Sequence, residues 1–223
     1  MIKIYPLGDN PEIFPDPLKA DDEGLLAYGG DLTSQRIING YYQGIFPWFN
    51  EDDPILWWSP NPRFVLDIDD LHISKSLRRT IKKNIFEIKY NQAFVKVLIE
   101  CASANRPDQD GTWITPDMIE AYSQLHHMGI AHSFEAYYDG ELVGGGYGVV
   151  VGNIFCGESM FAKKNDASKV AFVNLVTRLK NHGFKLIDSQ VYTPHLEHFG
   201  AKYISRKDYI SLVKKGLKNP KQF

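Results

Sequence analysis

Asp188 and Gln190 lie two positions apart, between the apolar residues Leu186, Ile187 and Val191. The apolar neighbours predict a buried strand, on which positions i and i+2 face the same side. A carboxylate in that position can orient or deprotonate an amine, and an amide can stabilise a developing oxyanion. The alternative is a structural hydrogen-bond network, because a buried polar group without a partner costs about 1–3 kcal/mol.

A second carboxylate, Glu158, lies in the apolar, glycine-containing segment Cys156–Phe161. It is either paired structurally or positioned to bind a cationic ligand, because a carboxylate is rarely buried without a partner. Ser159 has no G-x-S-x-G pattern around it, which disfavours a serine nucleophile. The cysteines and histidines lack the spacing of a metal site, and no Walker A or dinucleotide-binding pattern is present. The sequence therefore predicts neither a metal nor a cofactor.

Five basic residues without an intervening acid occur in the segment 72–84 at positions i, i+3, i+4, i+7 and i+8, which form one stripe of a helix. This basic stripe consists of Lys75, Arg78, Arg79, Lys82 and Lys83. Apolar residues recur every four positions on another face and predict that the helix packs against a core. A solvated helix face is the simplest interpretation. Five cations on one face repel each other, however, so binding to nucleic-acid phosphates is at least as well supported.

Hydrophobic periodicity predicts an α+β fold that positions these residues. Three segments separated by tight turns predict an antiparallel meander, over Ala131–Tyr138, Leu142–Val151 and Ile154–Phe161. A helix from about Ala167 to Gly183, with Asp166 as its cap, precedes the strand that carries Asp188. Meander, helix and strand in this order predict one mixed sheet.

The segments before the meander predict smaller elements. Phe86–Tyr90 predicts a strand, Asn91 is expected to cap the next helix, and Thr115-Pro116 opens another. Thr33 is expected to cap a short helix nearer the start of the chain. Four prolines exclude a regular helix from residues 44–63, which hold three of the four tryptophans. This stretch is either a rigid loop packed in the core or an aromatic wall around an apolar ligand.

Composition narrows the class of protein. The chain has 223 residues, of which 43% are hydrophobic and 23% are charged, with a formal net charge of −2. These values are typical of a globular domain and exclude disordered and collagen-like chains. The two cysteines predict no disulfide framework, and the sequence has neither an apolar stretch long enough to span a membrane nor a secretory signal. We therefore expect a cytoplasmic protein without a membrane partner, and a monomer, although the sequence leaves the oligomeric state open.

Seven short motifs follow one another along most of the chain: Gly24-Leu-Leu-Ala-Tyr-Gly-Gly-Asp-Leu32, Gly44-Ile-Phe-Pro-Trp48, Pro54-Ile-Leu-Trp-Trp-Ser-Pro60, Gly111-Thr-Trp-Ile114, Leu142-Val-Gly-Gly145, Gly157-Glu-Ser-Met-Phe161 and Ile187-Asp-Ser-Gln-Val191. Each motif alone is weak, but their order and spacing are specific and together resemble the leucyl/phenylalanyl-tRNA–protein transferase family. The resemblance implies transfer of Leu or Phe, with Met as a third candidate, from aminoacyl-tRNA to proteins with an N-terminal Arg or Lys. It also implies that the acceptor is thereby marked for degradation by the N-end rule pathway, without a cofactor.

The same resemblance implies an architecture. We expect a small N-terminal α/β domain over residues 1–85, which carries the basic stripe, and a catalytic domain over residues 86–223. The catalytic domain is expected to contain an acetyltransferase-like (GNAT-type) mixed sheet with helices, which agrees with the meander, helix and strand read from the sequence. The glycine loop that holds pyrophosphate in acetyltransferases is missing, because Ala162–Lys169 stands in its place.

The resemblance also implies roles for individual residues. Asp188 and Gln190 are the expected catalytic pair, in which Asp188 orients the amine and Gln190 contacts it; whether Asp188 acts as a base stays open. Glu158 matches a substrate-site acid suited to the Arg or Lys side chain of the acceptor, and Ser159 lies beside it. The rings expected to surround the aminoacyl adenosine are those of Trp48, Trp113 and Tyr122. The cations expected to contact the tRNA acceptor stem are Lys75, Arg78, Arg79, Lys82 and Lys83.

Gly144-Gly145-Gly146 departs from the family pattern, which commonly has a bulkier apolar residue at the third position. The glycine predicts a looser pocket wall and leaves the preference among Leu, Phe and Met open. Two other functions stay under consideration. One is an acyl-CoA acyltransferase on the same scaffold, which the missing glycine loop disfavours. The other is a non-catalytic tRNA-binding module, which would need the basic stripe but not Asp188.

Overall fold

The computed structural model describes residues 4–104 and 112–223, so Gly111 of the fourth motif lies outside the described residues. The strands are β1 (Tyr5–Leu7), β2 (Leu25–Gly29), β3 (Phe46–Pro47), β4 (Leu56–Trp58), β5 (Arg63–Asp67), β6 (Glu87–Tyr90), β7 (Ala131–Tyr138), β8 (Glu141–Val151), β9 (Ile154–Ala162), β10 (Leu186–Asp188) and β11 (Lys202–Ile204). The helices are α1 (Ser34–Tyr42), α2 (Lys75–Lys82), α3 (Phe94–Ala102), α4 (Pro116–His127), α5 (Ala167–Asn181), α6 (Pro194–Glu197) and α7 (Arg206–Leu217). The predicted α+β class is confirmed.

A seven-stranded mixed sheet forms the centre of the molecule, in the order β11-β5-β10-β9-β8-β7-β6. The antiparallel meander predicted for β7, β8 and β9 is present. Strand β10 pairs parallel to β9 and antiparallel to β5. The two faces of this sheet bury separate apolar cores, and β9 contributes to both because successive side chains point to opposite faces: Ile154 and Cys156 to one core, Phe155 to the other.

Helices cover both faces of the large sheet. Apolar residues of α3 and α4 belong to the first core, and those of α5 belong to the second. Gly144 allows α5 to approach β8 closely, since a Cβ atom built on it would lie 2.7 Å from the Cβ atom of Ala167. Within the described ranges, none of the helices is both long and apolar enough to cross a membrane.

The first part of the chain forms a second, four-stranded sheet in the order β1-β2-β4-β3. Helix α1 packs beside it and begins as predicted, because the side chain of Thr33 accepts a hydrogen bond from the backbone N–H of Arg36. Strand β5 belongs instead to the large sheet, where it pairs with β10 and β11. The predicted division of the chain at residue 85 therefore runs between strands of one sheet.

One predicted helix cap is wrong, and a second occupies the predicted position without a capping hydrogen bond from its side chain. Asn91 does not cap α3: it adopts a φ of 58°, and its side chain accepts from the backbone N–H of Ser133. The buried carboxylate of Glu135 accepts instead from the backbone N–H groups of Gln92 and Ala93, just before the helix. Asp166 does precede α5, but at a φ of 64° its side chain makes no capping hydrogen bond. Both residues have a positive φ, a conformation that Asn and Asp adopt more readily than most residues and that hydrophobic periodicity does not reveal.

Candidate active site

A cavity opens where two parallel strands part. Strand β10 follows β9 only as far as the pairing of Asp188 with Cys156, whereas β9 continues to Ala162. After Asp188 the chain leaves the sheet, and Gln190 adopts a left-handed φ of 61°. The prediction that Asp188 and Gln190 share one face of a strand is therefore wrong, because the strand ends between them.

This cavity has a volume of about 420 Å³ and is walled mainly by aromatic and aliphatic side chains. One wall consists of Phe46 and Pro47, which form β3 of the four-stranded sheet, and of Trp48, which follows β3 in the chain. The apolar floor comes from the large sheet and α5, with Phe134, Phe155, Met160, Phe172 and Leu175. Polar residues are a minority of the lining, and Glu158 and Gln190 are among them. The cavity is therefore suited to an apolar group that ends in a polar, reacting centre.

Asp188 is fully buried and accepts hydrogen bonds on both carboxylate oxygens. The Arg63 guanidinium donates to both, with Nε 2.8 Å from Oδ1 and Nη2 2.6 Å from Oδ2. The Tyr209 hydroxyl donates to Oδ2 over 2.7 Å, and the backbone N–H of Gln190 donates to Oδ1 over 2.9 Å. Burial lowers the pKa of Arg63, but the Asp188 carboxylate outweighs that effect and the net shift is upward. Arg63 is therefore a cation, and Asp188, which does not line the cavity, is linked to it through Gln190.

Glu158 has a different set of partners, all of them neutral. Its Oε1 accepts from the Tyr41 hydroxyl and from Nε2 of Gln190, each over 2.7 Å. Its Oε2 receives one longer contact of 3.4 Å from the hydroxyl of Tyr122, which itself lies 2.7 Å from the Tyr41 hydroxyl. Because a carboxylate oxygen has two lone pairs, Oε2 has capacity for a further donor. Glu158 lines the cavity, so that donor can come from a ligand.

The surroundings of Glu158 also change its acidity. Burial raises the pKa of Glu158 to about 7, against the hydrogen bonds from Tyr41 and Gln190, which lower it. The charge on Asp188 raises it further, and Arg63 partly offsets that effect. Burial and the charge on Glu158 in turn raise the pKa of Tyr41 and Tyr122 well above the usual value, so both phenols keep their protons. Glu158 is thus a carboxyl group that exchanges its proton near neutral pH.

The structure brings together most of the predicted substrate residues. Trp48, Trp113, Glu158 and Ser159 all line the cavity. Tyr122 does not: it is fully buried in α4 and contacts Glu158 from behind. Its position corrects the expectation of a ring that walls the ligand pocket, because its hydroxyl is used to hold the carboxylate.

The basic stripe lies on the exposed face of α2, as its periodicity predicts, and only Leu77 of this helix is buried. Helix α2 packs beside α5, where the Thr80 hydroxyl donates to Asp166 over 3.0 Å. Two residues later, Ser168 of α5 lines the cavity. In the part of the chain that the structure describes, none of the five cations of the stripe forms an ion pair. The stripe is thus open to an external anion near one wall of the cavity.

Sequence reasoning missed Arg63, Tyr209 and Tyr41. Arg63 lies 125 positions from Asp188, and Tyr41 lies 117 positions from Glu158, so no local pattern links them. Among the described residues, no group of three or more His, Cys, Asp or Glu side chains is arranged to hold a metal ion.

The profile of the leucyl/phenylalanyl-tRNA protein transferases matches residues 65–214, and the profile of the N-terminal domain of these enzymes matches residues 30–61. The chain belongs to this family. The leucyl/phenylalanyl-tRNA–protein transferase of Myxococcus xanthus is 52% identical over 97% of this chain and 93% of its own length. That of Flavobacterium johnsoniae is 51% identical over 90% of this chain and 95% of its own length. The family predicted from the motifs is confirmed, and with it the class of aminoacyltransferases.

Similarity to solved structures is weaker. L-PGS from Bacillus licheniformis superposes with a TM-score of 0.44 at 13% identity, over 86% of this chain and 73% of that one. An aminoglycoside acetyltransferase from a soil metagenome superposes with a TM-score of 0.35 at 13% identity, over 59% of this chain and 89% of that one. The GNAT-type detail of the predicted fold stays a prediction.

We expect the substitution Arg63→Met to lower the free energy of unfolding by about 3–5 kcal/mol, because it leaves the Asp188 carboxylate buried without its cation. Urea unfolding followed by circular dichroism measures this loss. Lys202→Met is the matched control: it breaks the exposed pair with Asp70, 2.7 Å apart, and is expected to cost less than about 1 kcal/mol. Equal losses for the two variants would contradict the importance given to the buried pair.

Proposed function

We propose that this chain transfers Leu or Phe, with Met as a third candidate, from aminoacyl-tRNA to proteins with an N-terminal Arg or Lys. The product is then marked for N-end rule degradation. The observation that carries this proposal is the Glu158–Gln190 pair at the edge of an aromatic cavity of about 420 Å³. Family membership supports an aminoacyl-tRNA donor and a protein acceptor.

The donor is proposed to enter the cavity with its side chain on the apolar floor. Leu and Phe side chains gain about 1.5–3 kcal/mol each from complete burial, and the lining of Phe134, Phe155 and Phe172 supplies that environment. The rings of Trp48 and Trp113 line the same cavity and offer faces on which the terminal adenine can stack.

The acceptor is proposed to meet Glu158 and Gln190. A cation on the Arg or Lys side chain pairs with Oε2 of Glu158, the oxygen with spare capacity, in a charge-assisted hydrogen bond. The Gln190 side chain contacts the attacking α-amine, and Asp188 positions Gln190 by accepting its backbone N–H. Asp188 accepts from Arg63, Tyr209 and Gln190, so orienting is a better role for it than proton removal.

The chemical step needs little activation, because an aminoacyl ester is already reactive and a free α-amino group has a pKa of about 8. The amine nitrogen bonds to the ester carbonyl carbon, the bond from that carbon to the terminal ribose oxygen breaks, and a proton of the amine leaves with that oxygen. Alignment of the amine and the ester in one cavity supplies most of the acceleration in this scheme.

The basic stripe is proposed to hold the acceptor stem of the tRNA by its phosphates. All five cations are exposed, and the helix that carries them packs against α5, whose first turn reaches the cavity wall. A stem on α2 would therefore lie close to the cavity that receives its 3′ end.

We also propose that the enzyme is monomeric and cytoplasmic, and that a domain boundary lies near residue 85.

The direct test mixes the protein with tRNA charged with Phe or Leu and a peptide that begins with Arg, followed by mass spectrometry. We expect the peptide to gain the mass of one Phe or Leu residue. The same peptide with an acetylated α-amine is the control and should gain nothing. If no charged tRNA produces a gain, the proposed transferase activity is wrong. Detectable binding of acetyl-CoA in calorimetry would instead support the acyl-CoA alternative.

The acidity of Glu158 predicts the pH dependence of transfer. Because the carboxylate and not the neutral acid pairs with a cation, kcat/KM for the Arg peptide should rise with pH through about 7 as Glu158 loses its proton. Loss of one charge-assisted hydrogen bond, about 1.5–3 kcal/mol, predicts a kcat/KM roughly 10–100-fold lower for the near-isosteric Glu158→Gln.

The remaining pH dependence of Glu158→Gln should be that of the acceptor amine alone, with a midpoint near 8. Steady-state rates between pH 5.5 and 9 separate the two profiles. A variant with the same midpoint and the same rate as the unmodified enzyme would remove Glu158 from acceptor binding.

The basic stripe predicts a salt effect on tRNA binding. Replacement of Arg78 and Arg79 by Gln should weaken binding and reduce the slope of log K against log salt by about 1–2, since each lost phosphate contact removes nearly one released counterion. The double variant Lys214→Gln/Lys215→Gln removes the same charge from the exposed face of α7 and is the matched control. Filter binding from 50 to 300 mM salt gives the slopes. Equal slopes in the two double variants would exclude the stripe as the phosphate site.

A further inference from the structure

Three cavity-floor residues lie side by side across the meander. Phe134 of β7 pairs with Gly146 of β8, and Gly146 pairs in turn with Met160 of β9. Paired residues on neighbouring strands share a face of the sheet, so these three positions form one row under the cavity. Both Phe134 and Met160 line the cavity.

Three atoms of neighbouring residues occupy the space next to Gly146, and the nearest is the backbone oxygen of Ser159, 2.5 Å from a Cβ atom built on the glycine. A Cβ atom built on Gly146 would lie 2.7 Å from Cζ of Phe134 and 2.7 Å from Cγ of Met160. Those distances are far inside a van der Waals contact, so the tip of the Phe134 ring lies where a side chain at position 146 would begin. The expectation that this glycine loosens the wall is therefore wrong: the side chains of Phe134 and Met160, together with the backbone of Ser159, fill the space that it leaves.

The two neighbours differ in how easily they move. Phe134 is only 2% exposed, and its ring packs edge-on against Phe155 with the ring centroids 6.5 Å apart. An aromatic ring confined by a strand below and a second ring beside it has less freedom to change rotamer than a partly exposed side chain. Met160 is partly exposed, and its unbranched side chain adapts to the shape of its surroundings. Of the row, Phe134 is thus the rigid member and Met160 the adaptable one.

We propose that the Phe134 ring, seated over Gly146, sets the largest aminoacyl side chain that the cavity accepts. This inference rests on the proposed function, in which the donor side chain lies on this floor. Met160 accommodates the difference between Leu, Met and Phe, and Phe134 limits depth. A donor larger than Phe, such as Trp, meets the fixed ring.

The test is a size series of donors: tRNA charged with Leu, Phe or Trp, with one Arg peptide as acceptor. For the unmodified enzyme, Trp transfer should be the slowest of the three. Phe134→Leu removes the ring and deepens the floor, so the ratio of kcat/KM for Trp to that for Leu should rise about tenfold or more, within the 10–200-fold range for a misfit of about one methylene. A ratio of two rates on one variant does not depend on how much of the protein is active.

Phe184→Leu is the matched control. Phe184 is 2% exposed and belongs to the same apolar core but does not line the cavity, so its loss should lower stability and leave the ratio within about twofold.

If Phe134→Leu does not fold, Phe134→Met keeps most of the volume but replaces the ring by a flexible side chain. The ratio of kcat/KM for Trp to that for Leu is then expected to rise as well, though by less. An unchanged ratio in the folded variant overturns this inference alone. Absence of transfer by the unmodified enzyme from every charged tRNA overturns the proposed function instead.

Discussion

The buried ion pair between Arg63 and Asp188 is the interaction on which the rest of the site depends. A carboxylate without solvent is tolerated only when its charge and lone pairs are satisfied, and here a bidentate guanidinium, a phenol and a backbone N–H do so. The donors come from β5, α7 and the chain just after β10. The pair therefore joins three distant segments and fixes Gln190 at a left-handed φ of 61°, which costs a non-glycine residue about 1–2 kcal/mol.

Gln190 connects two carboxylates that differ in electrostatic character. Asp188 has a cation of its own, whereas Glu158 is held only by neutral donors, the phenols of Tyr41 and Tyr122 and the amide of Gln190. Burial raises the pKa of Glu158, and the negative charge on Asp188, which Arg63 only partly offsets, raises it further. A cationic ligand would supply the missing charge. Under the proposed function, acceptor binding and ionisation of Glu158 therefore promote each other.

Secondary-structure elements that depend on local sequence were predicted from it. Periodicity and turns gave the meander and α5, and Thr33 and Thr115 cap α1 and α4 as expected. Apolar neighbours in the sequence drew attention to Gln190 and Glu158 as candidates, but alternation of apolar residues could not reveal the left-handed backbone at Gln190. Arg63 was not identified because its partner lies in a strand that only the tertiary fold brings beside β5. Likewise, the glycine at 146 predicted an open wall because one strand does not show which side chain on the next strand fills the space.

The two proposed substrates would be selected by different physics, and this bears on which parts of the site can vary. An apolar floor discriminates among side chains such as Leu, Met and Phe by only about 1–3 kcal/mol per methylene, so under the proposed function the exchange of one floor side chain for another would change preference by that amount. Recognition of a cation by Glu158 depends instead on a hydrogen-bond network anchored in α1, α4 and β9. The members of such a buried network strengthen one another, so the loss of one member costs more than its own hydrogen bond. Donor preference is therefore the property more open to change by single substitutions, and acceptor recognition is the more constrained.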